Sequence, residues 1–289
     1  MGAPWRDHAA WEVVEAAEAA LGEPLAHLLL AESAEGLART RDSQLAVLVT
    51  SLVAWAATRP SLPDPVAFAG HSLGQITALI ASGALALDEG VLLAARRAEV
   101  TQAAADRHPG RMAALIGAGE EQAAEACAAA PDECWVANDN APGQIVIAGT
   151  PSGIERATKA AEGLGVRRVM PLRVDGAFHT PLMQEAADAL TAALAGVNFA
   201  APAAPVVANT DARPYASAEG WPARLALHLV SPVLWRLSMV TLTAELGATR
   251  LVEAGAGSML AGLAKRTVPG VPVHCVGTPA DIPTLSEVA

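Results

Sequence analysis

Aromatic residues are scarce in this sequence, 3% against 52% hydrophobic overall, so the core has to be assembled from Ala, Leu and Val. Small side chains of that kind suit helices packed closely on a parallel sheet. Cysteine is nearly as rare. Cys127, Cys134 and Cys275 are an odd number without zinc-ligand spacing, which argues against a disulfide framework or a structural metal and for reduced cytosolic thiols. No apolar run reaches the ~18–20 residues that a membrane span needs, and Trp5-Arg6-Asp7-His8 lacks the charged-then-apolar order of a signal peptide. Positive charge is in deficit too, 19 Lys and Arg against 30 Asp and Glu, for a net charge of -11. That balance argues against nucleic acid or an anionic membrane as a partner. A cytoplasmic protein is expected, and 289 residues suffice for one large α/β domain with a smaller insert.

What the chain does have is the stretch Gly70-His71-Ser72-Leu73-Gly74. It follows an apolar run, Val66 to Ala69, and precedes a helical pattern at Ile76, Leu79 and Ile80, which is the strand–turn–helix context of a nucleophile elbow. Glycines on both sides of Ser72 let the backbone turn sharply and leave N–H groups at a helix start facing a developing negative charge. The chemistry suggested is acyl transfer, although a five-residue Gly/Ser turn also arises by chance.

Around this elbow the spacing of apolar residues predicts two short helices in 9–31, and a buried helix from Ser43 to Thr58 that stops at Arg59-Pro60. A helix from Glu89 to Ala105, with Asp88 as its N-cap, carries Arg96 and Arg97. Residues 112–174 then read strand, helix, strand, turn, strand, helix, strand. That βαββαβ order is a split-βαβ unit, expected as a small domain over 110–174 inserted into a larger one formed by 1–109 and 175–289. The loop from Asp175 to Pro181 opens a helix over Leu182 to Leu194. A strand is predicted at Pro205 to Ala208, helices at Trp221 to Val230, Ser231 to Leu246 and Met259 to Lys265, and strands at Arg250 to Glu253 and Val271 to Val276.

A serine hydroxyl needs a base, and histidine is the usual one near neutral pH. His8, His27 and His108 read as surface residues, His71 diverges from its neighbour at the turn, His228 lies in a helix and His274 in the last strand. His179, in a glycine-containing loop beside Phe178 at a helix start, reads equally as a site residue or a structural loop histidine. Arg97 reads as a solvated helix charge unless the substrate carries a carboxylate, which a guanidinium grips through two parallel hydrogen bonds.

With Ser72, Arg97 and His179 in view, the chain resembles the acyltransferase family shared by bacterial fatty-acid synthesis and polyketide synthases, which includes the malonyl-CoA:acyl carrier protein transacylases. The matching stretches are Gly70 to Gly74, the Arg96-Arg97 helix, Asn140 to Gly149, Gly176 to Met183, Ser231 to Trp235 and Glu253 to Gly257, in the family's order along nearly the whole chain. The resemblance implies a hydrolase-like parallel-sheet α/β domain with a ferredoxin-like insert. It implies Ser72 as nucleophile, His179 as its base, Arg97 as the clamp on a malonyl carboxylate and the Leu73 N–H as an oxyanion donor. It also places Phe178, His71, Asn140 and His228 around the substrate, with the His228 backbone carbonyl orienting the base. Malonyl-CoA, other CoA thioesters and a phosphopantetheine-bearing acyl carrier protein are the implied partners of a monomer without cofactor or metal. Two departures stand out. Gln75 replaces a residue that is often Glu, expected only to adjust local polarity. Met1 to Trp5 resembles the segment after the family's first strand and its G-Q-G-x-Q loop, so that strand and a second oxyanion donor are expected to be missing.

Two further readings compete. An α/β-hydrolase would use Ser72, Asp211 or Glu253 as acid, and His274 as base. A chain without its first strand could instead be a noncatalytic remnant that binds the carrier protein.

Overall fold

A computed structural model describes residues 1–30, 40–174 and 176–283. Asp175, where the sequence reading starts the second part of the large domain, lies outside the described residues, as does Ala31.

Ala-rich helices that approach closely make the main core. The first residues dock in it: Trp5 is fully buried, and its indole N–H donates to the Gly277 carbonyl at 3.0 Å. Two helices follow, α1 (Glu12–Leu21) and α2 (Ala26–Leu30). The next, α3 (Thr40–Thr58), is apolar over most of its circumference and buries Leu45, Leu48, Val49, Leu52 and Val53, as a helix sunk in a core must. It packs against α4 (Gly74–Ala81), which leaves the elbow, and α5 (Leu87–Arg107). The inner face of α5 is built of Ala94, Ala95, Ala98, Ala104 and Ala105, and these small residues admit neighbouring helices at short range. Asp88 is not the N-cap of α5. Ala86 holds that place without a side-chain bond, and Asp88 and Glu89 sit in the first turn, where their charge opposes the helix dipole instead.

From residue 111 the chain forms a separate layer. Strands β1 (Arg111–Ile116), β2 (Cys134–Ala141), β3 (Gln144–Gly149) and β4 (Arg168–Pro171) make one sheet in the order β2-β3-β1-β4, every pairing antiparallel. Helices α6 (Glu120–Ala128) and α7 (Pro151–Gly163) pack against it over a core of its own. Thr150 caps α7 by accepting from the Gly153 N–H, with Pro151 in the first turn. In this core the Cys127 and Cys134 sulfurs lie 3.8 Å apart as free thiols.

The chain then returns to the main body through α8 (Gln184–Leu194), the short pair β5 (Val206–Val207) and β6 (Pro214–Tyr215), α9 (Trp221–Val230), α10 (Trp235–Val240), β7 (Leu251–Ala254), α11 (Met259–Thr267) and β8 (Val273–Val276). β7 and β8 are parallel. The strand predicted at 205–208 is present as β5, whereas the one predicted at 66–69 shrinks to a single parallel bridge, Phe68 to Val206, because Pro65 brings no N–H to a ladder and the elbow turns away after Ala69. Ser231 to Leu234 is not helical. Its Val233 pairs with β2, accepting from the Asp139 N–H and donating to the Ala137 carbonyl, both at 2.9 Å. Pro232 favours that extended course by excluding the helical region for the residue before it. Arg236 at the start of α10 reinforces this junction through its Nε, 2.9 and 3.1 Å from the two Asp139 oxygens, and through Glu120 on α6. Among the described residues no helix is long and apolar enough to cross a membrane.

Candidate active site

The turn after Phe68 is too tight for any residue but glycine at position 70. A Cβ there would lie 1.8 Å from the Gly74 carbonyl oxygen. Ser72 follows with φ of 54°, a left-handed conformation that few non-glycine residues adopt and that needs support from its surroundings. The strained turn lifts the hydroxyl out of the chain's path. His179 is held in the same unusual region, with φ of 62°. The two meet across 107 residues of sequence: Ser72 Oγ lies 2.8 Å from His179 Nε2.

The other ring nitrogen of His179 lies 2.8 Å from the His228 carbonyl oxygen on α9. A carbonyl only accepts, so Nδ1 carries the proton and Nε2 presents its lone pair to Ser72. Burial, and next the charge of Arg97, push His179 down to about 3. It is therefore neutral, the form a base needs, throughout the physiological range. The His228 ring lies 4.9 Å from the His179 ring, with its own Nε2 buried and without a hydrogen-bond partner among the described residues. Burial drives that imidazole well below its usual value, which keeps it uncharged beside the base.

Arg97 enters from the inner face of α5, 7% exposed. Its Nη2 donates to Ser72 Oγ at 3.1 Å, and its Nη1 to the Gln44 amide oxygen at 2.6 Å. No carboxylate pairs with it among the described residues, and burial lowers it to about 10. It stays charged at neutral pH. A desolvated guanidinium satisfied only by neutral groups is a ready site for an anion.

Leu73, the residue after Ser72, precedes α4 as its N-cap, so its N–H lies at the start of that helix, where no intrahelical acceptor reaches it. Phe178, next to His179, packs between the main core and the face of the four-stranded sheet formed by Met112, Ala114, Ala137, Val146 and Ala148. Gly176 lies beneath it, where a Cβ would stand 2.9 Å from the ring and push it aside. His71 and Asn140 pair with each other, Nε2 to Oδ1 at 2.8 Å, with Trp235 edge-on to the imidazole at 5.4 Å. They lie on the side of the elbow facing β2 and make no bond to Ser72, His179 or Arg97. Sequence reasoning passed over Gln44 and Asn209. Neither sits in a recognisable motif, but Gln44 opens the apolar face of α3 and Asn209 follows a strand, and a polar residue at such a boundary is the signal that would have found them.

The hydrolase alternative is not assembled. Both Glu253 oxygens accept from backbone N–H groups of Leu260 and Ala261 at the start of α11. Asp211 is taken by Tyr215 and the Arg213 N–H, and neither acid bonds to His274. Among the described residues no cluster of His, Cys, Asp or Glu could hold a metal ion.

Comparison with known proteins shows the family. The acyl transferase domain family matches residues 6–278. Malonyl CoA-acyl carrier protein transacylase of Salmonella typhimurium is 36% identical over 272 residues, covering 93% of this chain and 88% of that protein. The crystal structure of the malonyl-CoA:acyl carrier protein transacylase of Xanthomonas oryzae superposes with a TM-score of 0.91 at 37% identity, covering 96% of this chain and 90% of that one. A malonyl-transacylase solved in complex with a type II polyketide acyl-carrier protein gives a TM-score of 0.92 at 33% identity, over 97% and 91% of the two chains. With a family match along almost its full length and relatives more than 30% identical over most of both chains, this chain belongs to the acyl transferase domain family.

Proposed function

We propose that this protein transfers a malonyl group from coenzyme A to the phosphopantetheine thiol of an acyl carrier protein, supplying extender units for fatty-acid or polyketide synthesis. The observation that carries this reading is the convergence on one hydroxyl: Ser72 Oγ lies 2.8 Å from His179 Nε2 and 3.1 Å from a buried, acid-free Arg97. The first pair is what covalent acyl transfer needs, and the second selects an acyl group that ends in a carboxylate.

In the first half-reaction His179 Nε2 takes the Ser72 proton while Oγ attacks the thioester carbonyl, and the Leu73 N–H faces the oxyanion. Collapse expels the CoA sulfur, which receives the proton back from His179. In the second half the carrier's thiol gives its proton to His179 and its sulfur attacks the serine ester; collapse expels the Ser72 oxygen, which takes that proton back from His179, so hydroxyl and neutral imidazole are both regenerated. The His228 carbonyl serves both halves by holding the imidazole in one tautomer and orientation. Arg97 exchanges its weak contact with the serine for the malonyl carboxylate, Phe178 borders the acyl group, and His71 with Asn140 shapes the rim on the β2 side.

The same reading treats 1–109 and 175–289 as a hydrolase-like large domain and 110–174 as a ferredoxin-like insert, supported by the antiparallel order β2-β3-β1-β4. We further propose a cytoplasmic monomer that uses no cofactor of its own, with CoA thioesters and the carrier protein as its partners.

Intact-mass measurement after incubation with malonyl-CoA tests the function. A malonyl adduct on Ser72 that is discharged by holo-carrier protein is expected. Ser72→Ala should abolish the adduct and His179→Ala slow its formation severely, because nucleophile and base act as a unit. Full labelling of Ser72→Ala would overturn the mechanism.

A further inference from the structure

Beyond the groups that touch substrate, the elbow is closed by two side-chain amides that replace missing rungs of a parallel ladder. The pairing of the Phe68 segment with β5 starts regularly: the Phe68 N–H donates to the Pro205 carbonyl and the Val207 N–H to the Phe68 carbonyl. Continued by the parallel pattern, the next partners would be Gly70 N–H with the Val207 carbonyl, and Asn209 N–H with the Gly70 carbonyl. The chain turns away at Gly70, so these groups need other partners. Gln75 supplies one set, its amide nitrogen donating to the Val207 carbonyl at 3.3 Å and its oxygen accepting from the Asn209 N–H at 3.0 Å. Asn209 takes the Gly70 carbonyl and reaches on to Ser72. Its Nδ2 donates to the Gly70 carbonyl at 2.9 Å, and its Oδ1 accepts from the Ser72 N–H at 2.8 Å. Gln75 therefore does more than adjust polarity.

We infer that Asn209 is a positioning residue for the nucleophile, fixing the left-handed turn that aims the Ser72 hydroxyl at His179. The side chain is fully buried and spans both ends of the strained segment, from Gly70 to Ser72, so the turn cannot relax without breaking one of its two bonds. Its backbone carbonyl accepts from the Leu234 N–H at 2.8 Å, which anchors it to the start of α10. By occupying the Ser72 N–H it also leaves the Leu73 N–H as the donor aimed at the oxyanion. An orphaned Gly70 carbonyl would be left buried without a partner, and the Ser72 N–H would lose the bond that ties the nucleophile's own backbone to that anchor.

The inference rests on Ser72 being the nucleophile, and the test separates the two. Phenylmethylsulfonyl fluoride carries no carboxylate and reports how the hydroxyl is presented, independently of malonyl recognition. In the full chain, Asn209→Ala is expected to slow Ser72 sulfonylation and malonyl kcat by ~10²-fold, leaving KM for malonyl-CoA within about twofold of wild type. Asn209→Asp keeps the acceptor for Ser72 and loses the donor to Gly70, and should fall between the two. If the Ala variant does not fold, the Asp variant carries the test. Wild-type sulfonylation and transfer rates in a variant that melts as a folded protein would overturn the inference. If wild type is sulfonylated but not malonylated, the substrate reading fails and sulfonylation still decides the role of Asn209. If neither reagent modifies Ser72 in wild type, both fall.

Discussion

Arg97 and Gln44 are joined by a 2.6 Å hydrogen bond from the guanidinium to the amide oxygen, so a neutral group stands where a buried arginine ordinarily finds a carboxylate. The site is thereby left one negative charge short, next to its own nucleophile. Under the proposed function, a malonyl carboxylate fills that deficit and an acetyl group does not.

Arg97→Ala should lower kcat/KM for malonyl-CoA by about 3 kcal/mol, or ~10²-fold, while affecting acetyl-CoA little. Gln44→Glu makes the complementary case. It gives Arg97 a permanent internal partner, so KM for malonyl-CoA should rise about tenfold or more and the thermal midpoint should increase. Steady-state kinetics with both thioesters decide the matter. An Arg97→Ala protein that retains its full malonyl preference would place the clamp elsewhere.

Acid should unfold this protein before it disables the base. His179 is depressed to about 3 when folded, against 6.5 for a free histidine, and His71 and His228 are lowered as well. Below pH 6.5 the unfolded chain binds protons that these folded imidazoles refuse, so stability is intact above that pH and is lost as pH falls through it. At pH 5 His179 alone accounts for about 2 kcal/mol. Denaturant melts at pH 7 and pH 5 should differ by at least that amount, and by less in His179→Gln. Equal stability at the two pH values would refute the burial argument.

Phe178 adjoins His179, and under the proposed function its ring should crowd an α-methyl group on the substrate. Phe178→Ser is expected to raise methylmalonyl transfer relative to malonyl by roughly 1–3 kcal/mol, that is, 10- to 200-fold. Competition between the two CoA esters measures it. An unchanged ratio would mean the ring is not the filter.

Arg236 holds the nearly buried Asp139 and joins α10 to β2 and α6. Asp139 is already raised by burial against the pull of Arg236. Arg236→Ala leaves that carboxyl without its partner and should destabilise the protein by about 3 kcal/mol. Arg236→Ala combined with Asp139→Asn should recover part of the loss. A single variant that melts like wild type would show that the junction is held by the Val233 pairing alone.

Much of this was legible without coordinates because it is local. Helices α3, α5 and α7 announce themselves through apolar residues at helical spacing, and the β1-to-β4 segment through alternating strand and helix signals over 111–171. The elbow shows in Gly70, because a turn that tight admits no side chain at its entry. The extended run Ser231 to Leu234 was misread as helix, since its conformation answers to Ala137 and Asp139, almost a hundred residues earlier.

The sequence by itself determined where the backbone must bend and where helices run, because steric limits and apolar periodicity act within a few residues. Only the tertiary structure decided which polar groups meet. Ser72 finds His179 across 107 positions, Asn209 across 137, and Arg97 finds Gln44 across 53. No period or spacing records such pairings: each is settled by which buried donor is left facing which acceptor once the layers have packed and water has been excluded.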